Sequence, residues 1–405
     1  MSEFIEFLTK MVSHLGIKLS VVDLAGTISD EYELAANILG EINKFLYQTH
    51  VGLDKEYISE FHKYWKNNHE KILQPQIGTD ETIKVAKVLD RIYATNTIRV
   101  QLNTLDLKPS EIANVRFFTA IQDFKIDISA KTNPFELYRL KADFFDSTKI
   151  LDNEFLIDEF LTRIGADSQR DKRKKWMVES ARLLLRDYGG SAFNINNAHG
   201  GDVVEIKRAL AGPGKYGFDQ KKADMFLRDM GDLNVWTYRK NVEEINVMSD
   251  RNTMRIALRT GILQLRIPLL ASYLDVYCYQ YALVDQWSAK GWREVWRSWA
   301  SIPNNHRPPT PASIDYFIYR MGKLACRPSA RLRKCPPSKP IDPKKLQSML
   351  LQDQLIFDTR CYCTFESVCR DERKILNHPM SISRLGATGW EQGRANEGGG
   401  GGIQS

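Results

Sequence analysis

Two lysines follow a glycine-rich turn in "ALAGPGKYGFDQKKADMFLRDM", residues 209–230. An amine in that position is ordinarily a solvated cation. It becomes a nucleophile when it is partly desolvated or crowded by other cations, which moves its pKa toward neutrality. Lys221 and Lys222 are adjacent, and Lys215 in the turn adds another positive charge. Further on, "NVMSDRNTMRIALRTGIL" (246–263) carries Ser249 and Asp250 where a helix should start. Asp250 reads in two ways: as the N-cap of that helix, or as a carboxylate facing the upstream lysine.

The cysteines form the second group that can do chemistry. Cys278 stands alone in the apolar-aromatic segment "DVYCYQYALV" and reads as core, whereas the other five fall between 326 and 369. Disulfide frameworks belong to small secreted chains, so a late cluster in a chain of 405 residues favours metal or cluster ligation.

The lysines need elements to hold them. "DVVEIKRAL" forms one helix and "DQKKADMFLRDM" a second, with "AGPGKYGF" between them. Glycines there permit positive φ and close approach of the backbone to a ligand. The second helix begins with free N–H groups and its positive dipole end. That suits a phosphate, with Lys215 as a point charge; the plainer alternative is a connecting turn. Met225, Phe226 and Met230 face inward in this reading. Upstream, "KKWMVESARLLLRDYGG" is an amphipathic helix that should end at Gly189 and Gly190. Thr79 should cap "TDETIKVAKVLDRIY", and Trp292, Trp296 and Trp299 share one helix face, as core more readily than as base-stacking platform.

Composition is that of an ordinary globular chain, 43% hydrophobic and 26% charged, long enough for two or three domains. No apolar run approaches 18 residues, so no membrane span is expected. "MSEFIEFLTKMVSHLG" reads as an amphipathic helix with early acids and not as a secretory signal. The net charge of +7 is compatible with a polyanionic partner without establishing one. The pattern predicts an all-α protein in four consecutive blocks: an accessory helical domain at 1–130, a helical core at 131–311, the cysteine region at 312–375 and a flexible tail at 376–405. "PNNHRPPTP" reads as a stiff linker or loop and "NEGGGGGIQS" as low-complexity sequence.

Taken together, the segments over about 133–375 resemble the helix–hairpin–helix DNA glycosylases, specifically the iron–sulfur branch typified by endonuclease III. "NPFEL" (133–137) is similar to the opening of that family's core, and "ALAGPGKYGFDQKKADMFL" to its hairpin, usually Leu-Pro-Gly-x-Gly-x-Lys-x-Ala. "SDRNTMRIALRTGI" resembles the aspartate block, with Asp250, Arg255, Arg259 and Gly261 at matching offsets; Asn252 stands where histidine is common. "IDYFIYRMGKLAC" resembles the helix before the first cluster cysteine, and "CTFESVC" (363–369) keeps the terminal Cys-x5-Cys.

The resemblance implies a two-lobed helical core, with an extra N-terminal helical domain outside it. It implies a glycosylase that flips a damaged or modified base out of double-stranded DNA, with AP lyase activity through a lysine Schiff base. The Lys-x-Ala spacing puts the nucleophile at Lys221, with Lys222 second, and Asp250 as its catalytic partner. Gly212, Gly214, Lys215, Gly217 and Lys222 would meet DNA. Cys326, Cys335, Cys363 and Cys369 would hold a 4Fe-4S cluster, with Cys361 competing with Cys335 and zinc as the alternative occupant. A monomer in the cytoplasm, associated with the nucleoid, or in the nucleus fits this reading, and a role against modified viral DNA is one conjecture for the target. The competing readings are an N-glycosidase acting on a free modified nucleoside or nucleotide, and a non-catalytic DNA-binding relative.

Overall fold

The computed structural model of the chain describes residues 3–29, 31, 33–35, 37–38, 41–42, 69–71, 73–94, 104–123, 133–211, 216–266, 279–324, 326 and 365–369. The described residues are mostly helical, as an all-α chain requires. In chain order the helices are α1 (Glu3–His14), α2 (Val21–Thr27), α3 (Thr79–Tyr93), α4 (Pro109–Ala120), α5 (Pro134–Leu140), α6 (Ser147–Asp152), α7 (Glu154–Arg163), α8 (Arg170–Tyr188), α9 (Asn194–Ala198), α10 (Val203–Leu210), α11 (Gln220–Asp232), α12 (Arg251–Thr260), α13 (Tyr279–Trp299) and α14 (Asp315–Leu324). Two short strands, β1 (Gln76–Ile77) and β2 (Leu263–Gln264), pair antiparallel. No helix of the described residues is long and apolar enough to cross a membrane.

The chain divides into two compact units, each gathered from separate stretches of sequence. One is made of the described residues within 99–248 and 308–315; the other is made of those within 1–98, 249–307 and 316–369. The reason lies in side chains that composition does not weigh. Helix α4, placed by sequence in the accessory block, buries Val115, Phe117 and Phe118 completely in the first unit. Phe117 meets Phe226 of α11 edge-on at 5.7 Å, a geometry that aromatic quadrupoles favour.

The same α4–α11 contact carries a buried ion network. Arg116 donates through Nε to Asp229 Oδ2 at 3.1 Å, and Arg228 donates through Nε and Nη2 to Asp229 Oδ1 at 3.0 and 2.9 Å. Arg228 Nη1 donates to Asp315 Oδ2 at 2.9 Å. Burial pushes the Asp229 carboxyl up, but Arg228 and Arg116 outweigh it and hold it below the usual carboxylate range. Buried charges so paired keep α11 in register, because removing one member would strand the others away from water.

In the other unit the stretch before residue 98 shares its core with the chain after 249. The β1–β2 ribbon joins them, and Trp299 donates from Nε1 to Asp90 Oδ1 at 2.7 Å. Trp292, Trp296 and Trp299 are all buried, so the tryptophan stripe is core. Thr79 is the first residue of α3 and not its cap: the N-cap is Gly78, with no side-chain cap hydrogen bond. A Cβ on Gly78 would collide with the carbonyl oxygen of Gly261, so the chain keeps glycine where a capping hydroxyl would not fit. The "PNNHRPPTP" segment is held at its start: His306 N donates to Asp90 Oδ1 at 2.6 Å, and Arg307 lies 4.0 Å over the Trp296 ring.

Candidate functional site

The two helices flanking the glycine turn form as their sequence dictates. Asp202 caps α10 by accepting from Val204 N and Glu205 N, and Asp219 caps α11 by accepting from Lys222 N at 2.8 Å. Each cap satisfies donors that a helix start leaves open. Met225, Phe226 and Met230 are buried on the inner face of α11. Gly212, Gly214 and Lys215 lie outside the described residues, and the turn is described from Tyr216 onward.

That second half of the turn is fastened to α8. Gly217 has φ +77°, which suits glycine alone, and a Cβ there would come within 2.9 to 3.0 Å of the Trp176 side chain. One helical turn further along α8, Ser180 Oγ donates to the carbonyl of Tyr216 at 2.9 Å. Helix α8 itself ends as its sequence predicts, at Gly189 in the left-handed conformation.

The two lysines have opposite environments. Lys222 is buried; its Nζ donates to the carbonyls of Ile121 at 2.9 Å and Gly217 at 3.0 Å and lies 4.6 Å over the Trp176 ring. Desolvation lowers its pKa, partly offset by the carboxylate of Asp219. Lys221, one residue earlier on the first turn of α11, is exposed. The periodicity explains the difference: successive helical residues point about 100° apart, and residue 222 shares the inward face with 225, 226 and 229.

Asp250 belongs to the other unit and is the N-cap of α12. Its Oδ1 accepts from Asn252 N and Thr253 N, both at 2.8 Å, while Thr253 Oγ1 accepts from Asp250 N at 2.7 Å. Asn252, which departs from the sequence pattern, donates through Nδ2 to Asp250 Oδ2 at 3.0 Å. Both carboxylate oxygens are thereby oriented by the start of α12.

Helix α14 crosses close to that start. A Cβ on Gly322 would lie 2.7 Å from Asn252 Cβ and from its carbonyl oxygen, so glycine is what lets the helices approach. The crossing brings Cys326 to α12. Arg259 donates through Nη1 to Cys326 Sγ at 2.9 Å, and Arg255 donates through Nη1 to the Cys326 carbonyl, also at 2.9 Å. A guanidinium N–H aimed at sulfur complements the negative charge that a metal-bound thiolate carries. Cys326 is buried and Cys369 half-buried in this same unit. Cys335, Cys361 and Cys363 lie outside the described residues, and the described residues hold no group of three metal-ligating side chains.

The sequence reading missed the part of Trp176, whose ring serves both Gly217 and Lys222. A tryptophan on the apolar face of α8 signals burial but not the partner it will meet. No protein-family model matches the chain, and no curated protein matches it.

Proposed function

We propose that this protein is a helix–hairpin–helix DNA glycosylase of the iron–sulfur type, excising a damaged or modified base from duplex DNA and cutting the strand by lyase chemistry. The observation that carries the reading is the hairpin itself: α10, a turn with Gly217 at positive φ, and α11 with an exposed lysine on its first turn. Such a turn can approach a phosphate closely, and the helix start contributes N–H groups and positive potential.

Lys221 is the nucleophile in this reading by its Lys-x-Ala spacing and its exposure; the desolvation that would favour an amine falls on Lys222 instead. Lys222 supports the choice by being occupied: its ammonium is spent on two backbone carbonyls and an indole face, and reaching a sugar would strip it of all three. The target base is first extruded, at a cost of about a few kcal/mol for unstacking. The amine of Lys221, once it has given a proton to water, forms a bond to C1′ as the bond from C1′ to the base breaks and the base leaves with the bonding electrons. Loss of the amine proton and opening of the sugar give the Schiff base, from which elimination releases the 3′ phosphate. The resemblance gives Asp250, whose carboxylate is fixed by the start of α12, the role of stabilising positive charge on the sugar.

Cys326, Cys335, Cys363 and Cys369 are the residues that would hold a 4Fe-4S cluster, and the Arg259 contact to Cys326 fits that assignment. When bound, the cluster cross-links the segment after α14 through four thiolates.

Incubation with a panel of modified duplexes, followed by mass spectrometry of released bases, tests the proposal. Release of a free base from at least one duplex is expected. Release only from free nucleosides or nucleotides, never from duplex, would replace the reading with that of a nucleoside N-glycosidase.

A further inference from the structure

We propose that Lys172 is a DNA-backbone contact, held beside the hairpin turn by the indole of Trp176; the inference rests on the DNA glycosylase reading and extends its binding surface. Lys172, Trp176 and Ser180 follow one another at four-residue spacing, so they form one row along α8. Two of the three touch the turn directly: Trp176 packs on Gly217, and Ser180 donates to the Tyr216 carbonyl. Lys172 continues the row, with its Nζ 5.0 Å from the centre of the Trp176 ring.

Trp176 therefore carries two ammonium groups of different character. Lys222 is enclosed and donates to carbonyls. Lys172 is exposed, and among the described residues no carboxylate pairs with it. Of its neighbours on α8, Arg170 and Lys174 both pair with Asp158, at 2.9 and 2.5 Å, while Lys175 is exposed and lies off the row. Arg173 is buried and donates to the Gln122 and Ser168 carbonyls. Two carboxylates, Asp123 and Asp219, oppose the positive charge around Lys222, and Asp219 is engaged as the cap of α11. Arg173 and Lys172 add positive charge beside Lys222. The solvent-facing cation in this set that the glycosylase chemistry does not use is Lys172, one row-step beyond a turn suited to phosphate. A flexible ammonium resting on an indole keeps its charge available while its range of positions is narrowed.

The test is the affinity for unmodified duplex DNA as a function of salt. For each phosphate neutralised, the slope of log affinity against log salt steepens by about 0.9. Lys172→Gln should make the slope shallower by about that amount, and Lys172→Arg should restore it. Arg182→Gln, exposed on the same helix and paired with Glu179, should keep the wild-type slope. An unchanged slope in Lys172→Gln, or an equal loss in Arg182→Gln, would overturn the assignment while leaving the glycosylase reading in place. Wild-type protein with no salt-dependent binding to duplex would instead overturn the glycosylase reading itself, and this inference with it.

Discussion

Gly217 and Trp176 are in direct contact: the glycine turns at φ +77° with its Cα against the indole, and no side chain fits between them. The ring that blocks a Cβ there also receives the ammonium of Lys222 at 4.6 Å. One tryptophan thus fixes where the hairpin turn ends and where α11 begins.

Gly217→Ala should accordingly be costly. The left-handed backbone and the collision with Trp176 together should destabilise the protein by about 1–3 kcal/mol, measured by urea unfolding. Duplex affinity should fall with it. Gly16 also has positive φ, but a Cβ there meets nothing within 4 Å. Gly16→Ala is therefore the matched control and should cost less.

Asp229→Ala would take from the half-buried Arg116 and Arg228 the buried carboxylate they share, leaving Arg228 with Asp315 alone. Removing one partner from a buried ion network costs about 3–5 kcal/mol, and denaturant midpoints should register that loss. A loss below about 1 kcal/mol would mean that the network is open to water in solution.

Asp224 gives the stability a pH dependence. Burial pushes its carboxyl up to about 6, against the lowering effect of Lys207 and Asn246; Lys207 Nζ donates to it at 2.6 Å. The folded state holds this proton more tightly than the unfolded chain, whose ordinary value is 3.8. The resulting stabilisation is complete below that ordinary value and is lost as pH rises through about 6. Relative to Asp224→Asn, wild-type stability should decline over that window by at most about 1.4 kcal/mol per pH unit. Parallel curves for the two proteins would contradict it.

Cys326 gives a compositional prediction. Protein purified without oxygen should contain iron and inorganic sulfide, and Cys326→Ala should lose most of both. Arg259→Met, which keeps the sulfur but removes its 2.9 Å donor, should lose less. Zinc in place of iron, by elemental analysis, would change the occupant while keeping the ligand set.

Much of the local structure was legible in the sequence. The glycine stop of α8, the cap supplied by Asp250, and the inward row Met225, Phe226 and Met230 all follow from near-neighbour chemistry. What escaped depends on partners distant in the chain. Gly78 displaces Thr79 as cap because Gly261 crowds it. Helix α4 joins the first unit because Arg116 finds Asp229, 113 residues away. The burial of Lys222 could not be read from "QKKAD" either, since an adjacent pair of lysines carries no sign of which one meets Ile121 and Trp176. The arrangement of Gly212, Gly214 and Lys215, and of Cys335 and Cys363, lies outside the described residues.

The division of labour between the two lysines is tested most directly by borohydride trapping on a duplex carrying an abasic site or a susceptible base. The wild-type protein should become covalently joined to DNA, Lys221→Ala should give no adduct, and Lys222→Ala should still give one, in lower yield because the turn has lost its internal tie. An adduct that survives in Lys221→Ala and disappears in Lys222→Ala would contradict the assignment and make the buried amine the nucleophile.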